Sequence, residues 1–570
     1  MDDPAKVTYF AEADARGQKR RFGIKAVDRS KHLYVIGKSG MGKSTMLENM
    51  AVQDIQNGNG IVFIDPHGGS AEKLLEYVPP ERVDDVIYFA PFDMQYPIAF
   101  NIMEDVGPEK RHLVVNGLMS VFEKIWEDAW SARMAYILQN TLLALLEYPG
   151  ATLLAVNRMY TDKEFRNKVV ENVTDISVKS FWVDEYAKYT DKYAQEATPA
   201  IQNKIGQFAG NPLIRNIIGQ SKSSFDLRKM MDEKKIMIVN LSKGRVGEGN
   251  ARLLGSMFIT KIYLAAMSRA DEPASVLAKL PPLYLFVDEF QSFADKSFAD
   301  ILSEARKYKL CLTMAHQYIE QMEEEVRDAV FGNVGSMVAF RVGAYDAEVL
   351  EKEFAPVFIA EDLVNLGLRQ IYLKLMIDSV TSQPFSATTL PPIELPSVSS
   401  VKVIIESSRA KYAHARTEVE KVIVDWHSEG KVVASKEPKA PAIKYPAKKA
   451  EPKAIDTRSL EVEKPKVPAP NLIKMAQDKV KPAPKISLEE LKRKNDNQRA
   501  PDVKNVSALR DVLKSMVRES PIQKAPTERS NPVSLPTSGG LRRNEDLTPL
   551  SSQVKKEPTP EELKKLLGVE

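Results

Sequence analysis

Residues 37–45 read GKSGMGKST, which carries the spacing Gly-x-x-x-x-Gly-Lys-Ser. An apolar run, LYVI at 33–36, precedes this motif, and a helix-like segment follows it. That context favours a phosphate-binding loop, because glycines let the chain curl its backbone N–H groups towards phosphate oxygens and the helix N-terminus adds a positive dipole end. A chance glycine loop is the alternative, but it would not explain the flanking strand and helix. The motif therefore predicts an α/β fold with a P-loop NTPase core.

Each part of this motif has an expected role. Lys43 is placed to reach the β- and γ-phosphates of ATP, and the Ser44 hydroxyl to ligate Mg²⁺. The residues expected to bind the nucleotide are Gly37, Lys38, Ser39, Gly40, Met41, Gly42, Lys43, Ser44 and Thr45.

A second motif, LYLFVDEF at 283–290, delivers two carboxylates to the end of an apolar strand. We expect Asp288 to hold Mg²⁺ through water and Glu289 to polarise the attacking water. An acidic strand end that faces solvent is the alternative. Together with the loop, the pair indicates an ATPase that hydrolyses its nucleotide.

The segment ILSEARKYKLCLTMAHQ, residues 301–317, places an arginine eleven positions before a glutamine. Gln317 ends a predicted strand beside the acidic one, so it can reach the γ-phosphate and act as a sensor. Arg306 is either a surface helix residue or a finger that a neighbouring subunit supplies, since a guanidinium stabilises the charge that hydrolysis develops. Asp65 and His67 end the second strand, with a structural or nucleotide-proximal role, and Arg341 is a second finger candidate.

The pattern of apolar runs divides the chain. Short strand signals alternate with helical ones in two stretches, and helical periodicity fills the segment between them. The expected organisation is a lead-in at 1–32, a motor domain formed by 33–102 and 226–400, an inserted all-α domain at 103–225, a C-terminal helix at 401–430 and a tail at 431–570.

The tail differs in composition from the rest of the chain. It holds 17 of the 35 prolines and 30 Lys and Arg against 19 Asp and Glu, whereas the whole chain carries a net charge of +3. Such a segment buries too little apolar surface to offset its ordering entropy, so we predict disorder. The remainder of the chain is mildly acidic, and overall charge therefore gives no argument for DNA binding there.

Five stretches carry a family resemblance: IGKSGMGKST, FIDPHGG, LFVDEFQSFAD, LSEARKYKLCLTMAHQYIEQM and FGNVGSMVAFRVGAYDAE. They resemble the TraG/TraD-type coupling ATPases of conjugation and type IV secretion, within the HerA/FtsK superfamily of P-loop DNA-pumping motors. The resemblance spans roughly residues 20–400. Two departures are Ser39, where a threonine is usual, and the lack of the N-terminal membrane helices that such proteins usually carry.

The resemblance implies a RecA-like motor that assembles as a homo-hexamer, binds ATP and Mg²⁺, and passes DNA through its centre towards a type IV secretion channel. It also implies that Arg306 corresponds to the finger and Gln317 to the sensor, with a relaxase and channel components as candidate partners. We expect a cytoplasmic protein, with recruitment to the inner face of the membrane by partners left open. A HerA-like helicase in DNA processing and a nucleotide-regulated recruitment platform remain as alternatives.

Overall fold

The computed structural model describes residue 3 and residues 5–15, 17–190 and 198–428 of the chain. These residues belong to one compact unit, Met1–Ala442. The tail at 431–570, for which the sequence predicts disorder, lies outside the described residues.

The described residues contain one mixed sheet of eleven strands in the order β2-β1-β13-β10-β9-β3-β8-β7-β4-β6-β5, and a separate β11–β12 hairpin. The strands are β1 (Val7–Ala15), β2 (Gln18–Lys25), β3 (Leu33–Ile36), β4 (Gly60–Asp65), β5 (Val86–Phe89), β6 (Ile236–Asn240), β7 (Leu283–Val287), β8 (Leu310–His316), β9 (Ser336–Ala339), β10 (Gln370–Lys374), β11 (Met376–Ile377), β12 (Val380–Thr381) and β13 (Phe385–Thr389).

The seven strands from β9 to β5 in this order are all parallel. Their side chains are buried on both faces: along β3, for example, Tyr34 and Ile36 join one core while Leu33 and Val35 join the other. This two-sided burial explains the unbroken apolar runs in the sequence. It also brings the carboxyl ends of the strands to one edge, where Ile36 of β3 is in register with His316 of β8 and Ala339 of β9.

The other four strands extend the sheet beyond β9, and each is antiparallel to the strands with which it pairs. β10 pairs with β9, β13 with β10, and the β1–β2 hairpin with β13. β1 and β2, which the sequence assigned to a lead-in, thus belong to the same sheet, with β2 at its edge. β2 reads QKRRFGIK and its first four residues are exposed, which is why its sequence carries little strand signal.

Helices cover both faces of the sheet. They are α1 (Ala26–Arg29), α2 (Lys43–Gln56), α3 (Gly69–Glu76), α4 (Arg111–Ile125), α5 (Ala132–Leu146), α6 (Ala155–Thr161), α7 (Lys163–Asn172), α8 (Ile176–Ser180), α9 (Pro199–Gly210), α10 (Pro212–Ile218), α11 (Leu227–Asp232), α12 (Lys243–Val246), α13 (Glu248–Met267), α14 (Ala274–Leu277), α15 (Ser297–Glu304), α16 (Glu324–Asn333), α17 (Ala344–Phe354), α18 (Ala360–Val364), α19 (Val401–Tyr412) and α20 (Arg416–Ser428).

The described residues between β5 and β6 form helices α4 to α11, which we call the helical block. It packs on the sheet through α13, a helix that is buried almost all round. α4 approaches α13 closely at Gly117, where an added Cβ would lie 2.4 Å from Cγ2 of Thr260. The α/β core with an inserted helical region is therefore confirmed.

The sequence predicts a single C-terminal helix at 401–430, whereas the structure has two helices in this region. α19 ends at Tyr412 and α20 begins at Arg416, and between them Ala413 forms an isolated β-bridge with Ile98. α20 then packs on the helical block, where Trp426 meets Phe165 edge to face.

Candidate active site

The phosphate loop connects β3 to α2 along one edge of the sheet. Gly37 has φ +157° and Gly42 has φ +115°, and an added Cβ on Gly37 would lie 2.5 Å from Cβ of Phe340. Glycine is required at Gly37 because the loop passes directly over the residue that follows β9. Ser39 and Gly40 are exposed at its tip, whereas Lys38, Met41 and Gly42 are half-buried and Thr45 lies in the first turn of α2.

Lys43 points back into this loop. Its ammonium donates to the carbonyl oxygens of Gly37 at 2.6 Å and Lys38 at 3.2 Å, and the side chain is buried. Burial lowers the pKa of Lys43, and the charges of Glu289 and Asp288 oppose that effect. A phosphate oxygen inside the loop could therefore replace these carbonyls as the acceptor at little cost in desolvation.

The first acidic residue lies against the start of α2. Asp288 directly follows β7, and its Oδ2 accepts a hydrogen bond of 2.8 Å from Oγ of Ser44. Asp288 is buried, and burial raises its pKa. A hydroxyl and a carboxylate at this separation are oxygen ligands that suit Mg²⁺, which commonly takes one or two protein oxygens and completes its shell with water and substrate phosphates. The described residues hold no cluster of three or more His, Cys, Asp or Glu that could bind a metal.

Glu289 is the most restrained carboxylate of the site. Its backbone is left-handed, with φ +49°, an uncommon conformation for a residue other than glycine. Gln317 donates its side-chain amide to Oε1, and Gln291 donates to Oε2 at 2.6 Å. Burial opposes ionisation, yet the pKa of Glu289 falls to about 2 because hydrogen bonds to His67, Gln291 and Gln317, together with the charge of Lys43, outweigh it.

The end of β4 contributes one residue that organises the following turn and one residue at the edge of the site. Asp65 is buried and accepts hydrogen bonds from the backbone N–H of His67 and of Ala71, which organises the turn into α3. His67 is exposed, and its Nε2 lies 4.0 Å from Oε1 of Glu289, an ion-pair distance. Interaction with Glu289 raises the pKa of His67.

Gln317 follows β8, as the sequence predicts, whereas Arg306 lies at the opposite end of the same strand. Arg306 belongs to the 3-10 turn Ala305–Tyr308 before β8, and its side chain is exposed. A seven-residue strand spans about 20 Å at roughly 3.3 Å per residue, so Arg306 cannot reach the phosphate loop of its own chain. A role in catalysis would require delivery to another subunit.

Two residues beside the site carried no recognised signal in the sequence. Gln291 stands two positions after Glu289, and that spacing could have suggested the contact. Arg369 comes from the loop before β10; its backbone N–H donates to the carbonyl of Met41 at 3.2 Å. Arg341, the second finger candidate, contacts the loop through its backbone, since its carbonyl accepts from the N–H of Lys38 at 2.8 Å.

Comparisons with known proteins give one family match and several structural matches. The family model described as type IV secretory system conjugative DNA transfer matches residues 8–339. Two solved structures of the plasmid coupling protein TrwB, one in complex with the GTP analogue GDPNP and one with ADP and Mg²⁺, share the fold at a TM-score of 0.50 and 14% identity, and the match covers 70% of this chain and 98% of TrwB. VirB4 of Thermoanaerobacter pseudethanolicus matches at 13% identity and a TM-score of 0.45, over 69% of this chain and 98% of that one. No curated protein matches the chain significantly.

Among the residues that the structure describes, no helix has the length and apolar character needed to cross a bilayer.

Proposed function

The chain belongs to the type IV secretory system conjugative DNA transfer family, and we propose that it is an ATP-hydrolysing motor that binds DNA. The observation that carries this proposal is the hydrogen bond from Gln317 to Glu289, one residue beyond the Ser44–Asp288 pair. It joins the ends of two parallel strands beside the phosphate loop. A protein that only binds nucleotide has no need for a carboxylate and an amide in that arrangement.

The residues suggest a division of labour. Backbone N–H groups of the loop and the ammonium of Lys43 bind the phosphates, and Ser44 and Asp288 would hold Mg²⁺. The metal ion, when bound, neutralises charge on the phosphate oxygens. Glu289 orients the attacking water.

Glu289 must change its contacts before it can accept a proton. With a pKa of about 2 and both oxygens engaged, it is a weak base at neutral pH. If the Gln317 amide turns towards the γ-phosphate, Oε1 is released and its basicity rises. Gln317 would then act as the sensor by relieving a restraint on Glu289.

We further propose a homo-hexamer in which Arg306 of one subunit completes the site of its neighbour. Exposure of Arg306 far from its own phosphate loop supports this arrangement. Hydrolysis around such a ring would move DNA towards a type IV secretion channel, in keeping with the family description.

The test is steady-state ATP hydrolysis by the full chain with no DNA, with single-stranded DNA and with double-stranded DNA, using Glu289→Gln as the inactive control. Stimulation by DNA that the control lacks is the expected result. Hydrolysis that is indifferent to both DNA forms would overturn the motor proposal and favour a nucleotide-regulated recruitment platform.

A further inference from the structure

A cavity of about 800 Å³ lies between the helical block and α13, lined by residues that belong to no part of the nucleotide site. Its lining comes from residues 100–106 after β5, Lys110, residues 146–151 at and after the end of α5, residues 221–228 up to the start of α11, and the C-terminal half of α13 with Ser268. This volume is in the range of small-molecule sites.

One buried cation lines the cavity without a partner. Lys261 of α13 is only 9% exposed, and within the described residues its ammonium has no hydrogen bond or ion pair. Burial lowers its pKa, although the charges of Glu104 and Asp226 oppose that effect. An ammonium with this little exposure and no ion-pair partner is unfavourable, so this position would gain from an anion.

The carboxylates around Lys261 are already engaged elsewhere. Glu104 accepts hydrogen bonds from the backbone N–H of Ser223 at 2.9 Å and from its hydroxyl at 2.5 Å. Asp226 caps α11 by accepting from the N–H of Lys229 at 3.1 Å. Neither carboxylate lies within ion-pair distance of Lys261.

Most of the other charged side chains of the lining are paired. Asp105 pairs with Arg111 at 2.9 Å, and Arg228 pairs with Asp232 and Glu272. Lys222 stands at the rim, exposed and without an ion pair in the described part of the chain. Lys110 pairs with Asp271 at 2.5 Å, and Glu147 lies 3.5 Å from Arg111. Glu104 and Asp226 are held by neutral donors, so Lys261 and Lys222 are the lining cations that lack an ion pair among the described residues, and Lys261 is the buried one.

The wall beside these charges is apolar. Phe100 and Phe225 lie with their rings nearly parallel, at an interplanar angle of 14° and a centroid separation of 6.1 Å. Tyr148 and Leu264 complete this side. A ligand would thus meet an ammonium at one end and aromatic surface along its body.

We propose that this cavity binds a small organic anion, with a phosphate or carboxylate group on Lys261 and an apolar body against Phe100 and Phe225. The proposal does not depend on the motor activity, because the cavity shares no residue with the nucleotide site.

The test is isothermal titration of the full chain with phenyl phosphate and with phenylacetate. Both proteins in each comparison carry Lys43→Ala, so that the phosphate loop does not take up the phosphate probe. We expect at least one probe to bind, and which probe binds more tightly identifies the anionic group. Lys261→Met should weaken that binding about ten- to a hundredfold, the effect of one charge-assisted hydrogen bond.

Lys168→Met, on the surface of α7, is the matched control and should leave the affinity unchanged. If Lys261→Met does not fold, Lys222→Met at the exposed rim provides a second variant, with a smaller loss of affinity expected. Binding that neither cavity variant alters, or no binding of either probe, would overturn the proposal.

Discussion

Gln317 donates its side-chain amide to Oε1 of Glu289, so the residues that follow β8 and β7 are joined side chain to side chain. Gln291 donates to the other carboxylate oxygen at 2.6 Å. The two amides hold Glu289 ionised in a left-handed backbone conformation beside the phosphate loop.

We expect Gln317→Leu to lower kcat for ATP by at least about tenfold, the equivalent of one lost hydrogen bond of ~1.4 kcal/mol, because the variant lacks the amide that would turn towards the γ-phosphate. KM should change little, since Gln317 does not contact the loop residues that bind the phosphates. Steady-state kinetics with and without DNA would measure both constants. A raised KM at constant kcat would mean that Gln317 serves binding alone.

The pH dependence of stability tests whether the side-chain amide of Gln291 lowers the pKa of Glu289. Because the folded-state pKa of Glu289 is depressed from 4.5 to about 2, its ionisation stabilises the fold above pH 4.5, and that contribution is lost as the pH falls towards 2. Gln291→Leu should raise the pKa and shrink this contribution. Urea unfolding between pH 6 and 3 should therefore show a smaller loss of stability in the variant than in the wild type; equal losses would contradict the role of Gln291.

The ionisation of Asp288 should affect stability in the opposite direction to that of Glu289. Burial raises its pKa above 3.8, so the folded state favours the protonated form; the resulting stability is present at low pH and is lost as the pH rises through the folded pKa. Asp288→Asn keeps an acceptor for Ser44 and removes the buried charge. We expect the variant to melt at the same temperature as wild type or higher in EDTA, yet to lose the extra stabilisation that Mg²⁺ and ATP give. A lower melting temperature in EDTA would contradict the net cost of the buried charge and show that its attraction to Lys43 outweighs burial.

The elements that the sequence predicted well are those with a single physical cause. β3, β4 and β5 are apolar on both faces, so their runs are unbroken, and Gln317 could be placed beside Glu289 because parallel strands end at one edge. The approach of Phe340 and Arg369 to the phosphate loop was not predicted, because neither residue belongs to a motif with a recognised role, whereas Glu289 and Gln317 end apolar strands in such motifs. The β1–β2 hairpin escaped notice because β2, the exposed edge strand, has no apolar pattern.

The contact between α4 and α13 can be tested by whether a Gly→Ala substitution raises or lowers the free energy of unfolding. Gly→Ala in a helix interior ordinarily stabilises by ~1 kcal/mol. Gly206→Ala in the interior of α9, where the nearest atom to an added Cβ is Nδ2 of Asn157 at an ordinary contact distance of 3.7 Å, should do so. Gly117→Ala should instead destabilise by ~1–3 kcal/mol, because its Cβ would overlap Thr260. Thr260→Ser removes the clashing methyl and should recover part of that loss in the double variant. Urea denaturation of the wild type, the two Gly→Ala variants, Thr260→Ser and the double variant measures these differences in the free energy of unfolding.

Subunit mixing tests whether Arg306 acts in a neighbouring site. Arg306→Ala should reduce kcat by about 10³-fold or more if a finger is lost, without lowering the melting temperature, because the side chain is exposed and far from its own loop. Lys307→Ala, at the next exposed position, is the matched control and should retain activity. Lys43→Ala subunits lack a working loop but still carry Arg306, so mixing them with Arg306→Ala subunits before assembly should restore activity above that of either protein alone. Arg306→Ala subunits would then hydrolyse ATP with the arginine of a Lys43→Ala neighbour. Mixtures no more active than their components would place Arg306 outside catalysis and remove the argument that it joins two subunits at one active site.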